Sequence, residues 1–214
     1  MENGKMYRPR HYDIDDPATL ATFMREHGFV LLVTTVDGAP FATHLPLLFD
    51  LDGGTHGRLL GHVAKANPHW RSFDGKTEAL AVFWGPHAYI SPNWYTSEKV
   101  VPTWNYVTVH AYGKPVVIDD PEKVREGQAR LVGVYESDAT GNWSMDDMPE
   151  DYASKMLNGI VAFEMPIDRV EGKFKLNQKN SPADREGAIK GLRATGDPES
   201  LEVARLMAEI LADG

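Results

Sequence analysis

The sequence predicts a mainly β fold with peripheral helices, in which antiparallel strands form a barrel or a sandwich. The predicted strands are short and evenly spaced, turn-forming residues join them, and few helices separate them. A doubly wound parallel sheet would instead need a crossover helix between most strands. The 214 residues suffice for one good-sized domain with a small appendage, and the 42% hydrophobic and 25% charged residues are typical of globular proteins.

The N-terminal third predicts one helix followed by a hairpin and a further strand. Residues 15–17 (DDP) are typical of a helix start, with a capping aspartate and proline in the first turn. The run FVLLVTTV (29–36) is rich in β-branched residues and predicts a buried strand. Asp37-Gly38 predicts a tight turn into the return strand PFATHLPLLFD (40–50), and RLLGHV (58–63) predicts the next strand.

The middle of the chain predicts a short helix and then more strands. KANPHWRSF (65–73) predicts the helix, because proline is favoured in a first turn. TEALAVFWG (77–85) predicts a strand, and HAYIS (87–91) is expected to continue the sheet. Residues 105–119, NYVTVHAYG and KPVVID, predict two strands that pair with each other.

The last part of the chain predicts mainly helices. Helices are expected at 121–137 and around 151–158, with strands in 160–178. Two helices with cap-plus-proline starts follow. We therefore expect a β domain over residues 1–180 and a C-terminal helical extension over 181–214, packed on the barrel or on a partner subunit.

Composition excludes several classes of function. The absence of cysteine excludes disulfides, thiolate chemistry and cysteine-ligated zinc. The net charge of −9 disfavours direct DNA binding, which needs a basic face. The longest apolar run, FVLLV (29–33), is far too short to span a bilayer, and the N-terminus lacks the apolar core of a signal peptide. We expect a cytoplasmic protein without a membrane segment, and the spacing of its eight histidines predicts no metal site.

Two segments carry polar residues that suit a ligand. GHVAKANPHW (61–70) supplies His62, Lys65 and Asn67 where a strand ends and a helix begins, and free N–H groups there would add to an anion site. The alternative is an Asn-Pro pair that only starts a helix. In PFATHLPLLF (40–49), a threonine and a histidine interrupt an apolar strand, either for hydrogen bonds within the sheet or for contact with a planar polar ligand.

The stretch YISPNWYTSEKVVPTWNYVTVHAYG (89–113) is unusually rich in aromatic residues with polar groups. Such side chains can wall a site for a planar heteroaromatic ligand. They are equally suited to a packing cluster or to a subunit interface. The candidate walls and the orienting amide are Trp94, Tyr95, Trp104, Asn105 and Tyr106.

Five longer motifs occur in a fixed order along the chain. The motifs are MYRPRHY (6–12), GHVAKANPHW (61–70), FWGPHAYISPNWY (83–95), VPTWNYVTVHAYG (101–113) and KLNQKNSPADR (175–185). The chain that carries them resembles the PaiB-type FMN-binding negative transcriptional regulators, and the resemblance covers roughly residues 6–210.

The resemblance implies an FMN-binding split barrel, which is a six-stranded antiparallel Greek-key barrel, in a homodimer with FMN between the subunits. It implies that the strand with Thr43, His44, Leu45 and Pro46 runs along the flavin ring. The strand end and turn with His62, Val63, Lys65 and Asn67 would hold the phosphate, and the partner subunit would add Trp104, Asn105, Tyr106, Lys175 and Gln178. Flavin oxidases of this fold often use two basic residues at the phosphate, whereas this turn has only Lys65, with Arg71 beyond it.

The family points to a cytoplasmic FMN-binding regulator, and the acidic charge favours a protein partner or a metabolite over direct DNA contact. One alternative is an FMN-dependent oxidoreductase, of the flavin reductase or pyridoxamine-phosphate oxidase type, in which the cofactor supplies the chemistry. Another is a haem-binding protein of the same fold that uses His44, His62 or His110. The sequence assigns no catalytic side chain.

Overall fold

Nine strands and five α-helices form within residues 4–212, the part of the chain that the computed structural model describes. The strands are β1 (Asp13–Ile14), β2 (Phe29–Val36), β3 (Ala39–Pro46), β4 (Leu48–Asp50), β5 (Arg58–Ala64), β6 (Ala79–Ile90), β7 (Thr103–Gly113), β8 (Val116–Val117) and β9 (Ile160–Lys175). The helices are α1 (Pro17–Glu26), α2 (Pro121–Tyr135), α3 (Glu150–Leu157), α4 (Pro182–Thr195) and α5 (Pro198–Ala212). The expectations for residues 1–3 and 213–214 lie outside the described residues.

The predicted hairpin between β2 and β3 is confirmed. Val36 pairs with Ala39, so the loop contains two residues, Asp37 and Gly38. Both have positive φ, 52° and 79°, as the tight hairpin turn that matches strand twist requires. The hairpin fixes which residues of β3 lie opposite each residue of β2.

The strand boundaries differ from the sequence prediction in three places, and one pairing differs as well. The predicted strand 40–50 breaks at Leu47, whose N–H bonds the Gly28 carbonyl oxygen at 2.8 Å, and β4 then pairs with β5. The segments 77–85 and 87–91 form one strand, β6, that runs through Pro86. β8 pairs with β9 instead of β7, and β9 is a single strand of 16 residues.

The hydrogen-bonded strand order is β3-β2-β6-β7-β9-β5-β4, and β1 and β8 also pair with β9. The pairings of β2 with β3 and β6, of β4 with β5, and of β9 with β1, β5 and β8 are all antiparallel. The predicted fold class, mainly antiparallel β with peripheral helices, is confirmed. No helix within residues 4–212 is both long and apolar enough to cross a lipid bilayer.

The chain divides into two compact units. Unit 1 takes the chain up to Phe23, Trp84–His110 and the chain from Glu171 onward. Unit 2 takes Met24–Phe83 and Ala111–Val170.

Unit 2 contains the hairpin, β4, β5, β8, the helices α2 and α3, and the first parts of β6 and β9. Leu32, Leu59 and Phe163 are fully buried in it. Gly61 of β5 allows a close approach, because a Cβ there would lie 2.3 Å from Leu47 Cδ2. The side chains of β5 and β9 therefore pack tightly beside the chain segment that enters β4.

Unit 1 contains α4 and α5, which pack on each other. Leu192, Val203 and Met207 are fully buried there. Asp184, in the first turn of α4, accepts hydrogen bonds from the N–H and hydroxyl groups of both Thr96 and Ser97. This carboxylate fixes the loop before β7 to the start of the helix.

Candidate functional site

The predicted helix after β5 is a five-residue 3-10 helix, Pro68–Ser72, in unit 2. Asn67 caps it, with Oδ1 accepting a hydrogen bond from the His69 N–H at 3.0 Å, and Pro68 occupies the first helical position. The last three residues of β5 (62–64), the two residues that follow them and the Asn67 cap are together called here the 62–67 turn.

Three backbone N–H groups in or next to the 62–67 turn are bonded inside unit 2. The Lys65 N–H donates to the Gly159 carbonyl oxygen and the Asn67 N–H to the Ala64 carbonyl oxygen, both at 2.8 Å. The first N–H of the helix, that of His69, is taken by Asn67. The sequence predicted free N–H groups for an anion here, and for these three residues that prediction is wrong. At these three residues, side chains are therefore the remaining candidates for contact with an anion.

Two side chains of the turn are available for that purpose. Lys65 is exposed, and its ammonium group has no ion-pair partner within residues 4–212. His62 has a buried Nδ1 that lacks a hydrogen-bond partner among the described residues. Burial lowers the pKa of His62, so its ring is neutral at pH 7. A buried polar atom without a partner fits a site whose remaining contact comes from a ligand.

The strand β3 divides its predicted site residues between two faces. Alternation places Thr43 and Leu45 on one face, and His44 and Pro46 on the other. The Thr43 hydroxyl lies 2.8 Å from His69 Nδ1 and 3.2 Å from Asn67 Nδ2. The structure thus brings Thr43, but not His44, to the 62–67 turn.

The other residues assigned to this unit occupy different environments. His44 is exposed, and its ring centroid lies 6.4 Å from that of Phe29, which is 63% exposed. Leu45 and Val63 are buried core residues. Their side chains belong to the core of unit 2 and are not placed to contact a ligand.

Sequence reasoning missed His69, which is completely buried. Both of its ring nitrogens are bonded, Nε2 to the Thr34 hydroxyl and Nδ1 to the Thr43 hydroxyl, each at 2.8 Å. Its ring also lies 4.8 Å from that of Phe41. Two threonines on adjacent strands were the available sequence signal, but their link to this histidine depends on how β2 and β3 pair.

In unit 1, the structure brings Lys175, Trp104 and Tyr106 into one region. Lys175 Nζ donates to the Thr103 hydroxyl and to the Trp104 carbonyl oxygen, the latter at 2.6 Å. Burial, and secondarily the neighbouring Lys173, lowers the pKa of Lys175. The Lys173 ammonium lies 5.3 Å from the ring centroid of Tyr106. Lys173 is buried and donates to the Tyr7 carbonyl oxygen at 2.8 Å, so this region holds two ammonium groups that are bonded within the chain, beside aromatic rings.

The two amides assigned to unit 1 make internal contacts. Asn105 is completely buried, and its Nδ2 lies 3.2 Å from the sulfur of Met207 on α5. Gln178 accepts a hydrogen bond from the Leu176 N–H and donates one to the Phe174 carbonyl oxygen, at 2.8 and 2.6 Å. Both polar groups of Gln178 are thus bonded inside unit 1, whereas Asn105 Oδ1 is buried without a partner among the described residues.

Four rings on β6 and β7 form an exposed aromatic patch in unit 1. His87 and Trp104 have ring centroids 6.2 Å apart, and Tyr89 and Trp104 have theirs 5.9 Å apart. Trp84 completes the patch, 6.3 Å from His87. Trp84 and Trp104 are 60% and 54% exposed, which is far more than large aromatic side chains of a packed core.

The remaining aromatics of the 89–113 stretch are packing residues. The Trp94 ring fits against Gly191 of α4, where a Cβ would lie 2.2 Å from Trp94 Cδ2. The Tyr95 hydroxyl accepts a hydrogen bond from Asn177 Nδ2 at 2.8 Å. The stretch therefore has two functions, because one part anchors α4 and the other presents the aromatic patch.

A cavity of about 490 Å³ adjoins the 62–67 turn in unit 2. Its polar lining includes Lys65, Trp70 and Asn158, and its apolar lining includes Val161 and Leu157. Within the part of the chain that is described, no group of three or more histidine or acidic residues is placed to hold a metal ion.

Comparison with known proteins gives a consistent assignment. Residues 6–169 match the family described as "Putative FMN-binding domain". The chain is 34% identical over 206 residues to the Protease synthase and sporulation protein PAI 2 of Bacillus subtilis, covering 96% of this chain and 98% of that protein.

Solved structures support the fold at low sequence identity. The flavocytochrome Anf3 of Azotobacter vinelandii matches with a TM-score of 0.64 at 14% identity, over 81% of this chain and 74% of that one. The FAD and heme binding protein of Mycobacterium smegmatis matches with a TM-score of 0.58 at 14% identity, over 77% and 73%. On the family match and the Bacillus relative, this chain belongs to the PaiB-type FMN-binding family, with the split-barrel fold of its structural neighbours.

Proposed function

We propose that this protein holds the phosphate of FMN at the 62–67 turn and acts as a flavin-dependent regulator. The observation that carries the proposal is that the 62–67 turn holds both the Lys65 ammonium, unpaired within residues 4–212, and an Asn67 amide whose orientation is fixed. A phosphate monoester is held best by a cation together with N–H donors. Lys65 supplies the cation, and Asn67 Nδ2 retains one N–H beyond its bond to Thr43.

The residues of the turn also explain how a single basic residue can suffice. His62 has a buried ring nitrogen without a described partner, and a neutral imidazole can donate or accept one hydrogen bond there. In this proposal, His62 takes the place of the second basic residue that flavin oxidases of the fold use. FMN affinity then depends strongly on Lys65, because no other charge in the turn can replace it.

The proposal includes a homodimer in which a second copy supplies aromatic and cationic groups to the flavin ring. Trp104 is exposed in the aromatic patch, Tyr106 faces the Lys173 ammonium, and Lys175 carries a lowered pKa. Tryptophan and tyrosine are enriched at protein interfaces, and exposed aromatic clusters mark binding surfaces. Asn105 and Gln178 support these groups from inside each copy.

Regulation through a protein partner or a metabolite agrees better with the charges than direct DNA contact does. The net charge is −9, and DNA contact needs a basic face. The α5 cation Arg205 is neutralised by Glu202 and Glu209. Cytoplasmic action follows from a regulatory role in transcription. The Bacillus relative carries a sporulation-related name, which suits a regulator.

An FMN-dependent oxidoreductase is the second candidate, and the cavity beside Lys65 favours it. Its volume of about 490 Å³ lies within the range for small-molecule sites, and its wall combines a cation, an indole and an apolar surface. Bound FMN would supply hydride or electron transfer, while this chain would bind and orient a small substrate.

The visible spectrum of the purified protein tests the cofactor directly. We expect flavin absorption, or flavin absorption after titration with FMN, together with quenched flavin fluorescence. A Soret band would favour the haem alternative, and a colourless protein that FMN does not alter would refute flavin binding. Photoreduction of the bound flavin, followed by reoxidation with candidate substrates, separates the oxidoreductase from the regulator.

Two solution measurements test the remaining parts of the proposal. Light scattering with and without FMN should report a dimer, and Trp104→Ala should weaken both dimerisation and FMN binding. A mobility-shift assay at stated salt concentrations tests DNA contact, since phosphate contacts give a steep salt dependence. Tight, salt-sensitive binding to promoter DNA would overturn the preference for a protein or metabolite partner.

A further inference from the structure

A chain of hydrogen bonds connects the interior of unit 2 to the proposed phosphate site. It begins at Ser72, whose hydroxyl donates to the His69 carbonyl oxygen at 2.8 Å. The Thr34 hydroxyl lies 3.1 Å from the Ser72 hydroxyl and 2.8 Å from His69 Nε2. The Thr43 hydroxyl bonds His69 Nδ1, and Asn67 bonds Thr43. The chain therefore ends on two residues of the proposed site.

The inner half of the chain determines which nitrogen of His69 carries the proton. A carbonyl oxygen can only accept a hydrogen bond, so the Ser72 hydroxyl must donate its single proton to the His69 carbonyl oxygen. Thr34 must then donate to the Ser72 oxygen and has no proton left for the imidazole. His69 Nε2 must therefore donate to the Thr34 oxygen, which requires the Nε2–H tautomer.

The outer half of the chain follows from that tautomer. In the neutral ring Nδ1 accepts, so the Thr43 hydroxyl proton points inward to His69. The backbone N–H of His69 can only donate, which identifies the Asn67 atom facing it as Oδ1. Nδ2 of Asn67 then faces Thr43 and donates to its oxygen. Every donor in the chain has an acceptor in this one arrangement.

We infer that His69 is a positioning residue that fixes the hydrogen-bonding polarity of the flavin site, and this inference rests on the proposed function. With its proton directed inward, Thr43 offers a ligand only an oxygen lone pair. Asn67 offers its remaining Nδ2–H. The site therefore selects a ligand with a donor, such as a ribityl hydroxyl, at Thr43 and an acceptor, such as a phosphate oxygen, at Asn67.

A substitution at Thr34 tests the inference, because any effect on FMN affinity cannot come from lost contact with the ligand. Its side chain is 3% exposed and lies behind His69, so it cannot touch FMN. Thr34→Val removes the oxygen that accepts the Nε2–H hydrogen bond, so the His69 ring is no longer restricted to the Nε2–H tautomer. His69 can then donate from Nδ1 to Thr43, and the Thr43 proton turns toward the ligand. The matched control is Thr35→Val on the same strand, where the side chain is exposed.

FMN affinity is measured by fluorescence quenching for the wild type, Thr34→Val and Thr35→Val. Reversing one neutral hydrogen bond should raise the Kd of Thr34→Val roughly threefold to tenfold, with Thr35→Val unchanged. Equal affinity in the two variants, with a wild type that binds, overturns this inference alone. A wild type that does not bind FMN overturns the proposed function as well.

Two further measurements make the test independent of how well Thr34→Val folds. Ser72→Ala removes the other end of the chain and frees the Thr34 proton for Nε2, so it should weaken FMN binding in the same direction. Side-chain 15N–1H correlation spectra of the wild type should show the Nε2–H tautomer of His69. An Nδ1–H tautomer or a protonated ring at pH 7.5 contradicts the inference, whatever the affinities are.

Discussion

Replacing Gly191 by alanine tests whether Trp94 is a packing residue of α4 rather than a wall of a ligand site. A Cβ on Gly191 would lie 2.2 Å from Cδ2 and 2.5 Å from Cγ and Cε2 of the Trp94 ring, whereas ordinary contacts are 3.4–4 Å. The indole must therefore move by more than 1 Å. It has little freedom to do so, because the Trp94 carbonyl oxygen lies against Gly187 one turn earlier on α4.

Two opposing effects determine the magnitude. Overpacking of a fitted interface costs about 1–3 kcal/mol. Replacing a helical glycine by alanine raises the free energy of unfolding by about 0.5–1 kcal/mol, because alanine has the higher helix propensity. Gly133→Ala in α2 is the matched control, because no atom lies within 4 Å of its Cβ position. The control should receive the propensity gain without the clash.

Thermal unfolding followed by circular dichroism measures the difference between the two variants. The clash alone predicts that Gly191→Ala unfolds roughly 2–12 °C below Gly133→Ala, since 1 kcal/mol corresponds to about 2–4 °C at this size. Equal melting temperatures would show that the Trp94 ring is free to leave α4. In that case the ring would again be a candidate for contact with the ligand.

Three further predictions concern charge and protonation. Lys65→Ala should raise the Kd for FMN about tenfold to a hundredfold, because a charge-assisted hydrogen bond is lost, whereas Lys76→Ala should not. Hydrogen bonds, first from the Ser97 hydroxyl, hold the pKa of Asp184 far below its ordinary 3.8, so Asp184→Asn should lower the melting temperature at pH 7 and at pH 4 alike, and the difference should shrink only as the pH falls well below 3.8. Burial lowers the pKa of His69 below 6.5, so the neutral ring contributes its full stabilisation above pH 6.5. The free energy of unfolding should fall as the pH drops below 6.5, and it should fall less in His69→Gln.

Each of these predictions has a contradicting outcome. Equal FMN affinity of Lys65→Ala and Lys76→Ala would remove Lys65 from the phosphate site. An unchanged melting temperature of Asp184→Asn at pH 7 would mean that the loop at Thr96 and Ser97 does not depend on the carboxylate. A pH profile of His69→Gln that matches the wild type would assign the acid sensitivity to another group.

The sequence predicted the fold class and the site turn well because both depend on local chemistry. The hairpin follows from Asp37-Gly38, whose backbone preferences act within two residues. The Asn67-Pro68 cap and the position of Lys65 at the end of β5 follow from helix-start chemistry. These features need no distant partner, so pattern alone was enough.

The sequence failed where a partner far along the chain decides the outcome. Gly159 takes the Lys65 N–H, which removes a donor that the helix-start pattern offered to an anion. β8 has a strand-like composition, but its pairing with β9 rather than β7 depends on which edge is vacant. Asn105 and Trp104 are neighbours in one motif, yet alternation along β7 buries the first and exposes the second.

The sequence by itself determined the fold class, the family, the β2–β3 hairpin and the turn that carries Lys65 and Asn67, because turn, cap and motif residues act over a few positions. Only the tertiary structure decided the polarity of the site. His69 meets Thr34 and Thr43 across separations of 35 and 26 residues, through the register of β2 on β3. Hydrogen bonds over such separations form only when the sheet has assembled, so no local pattern could have pointed to them.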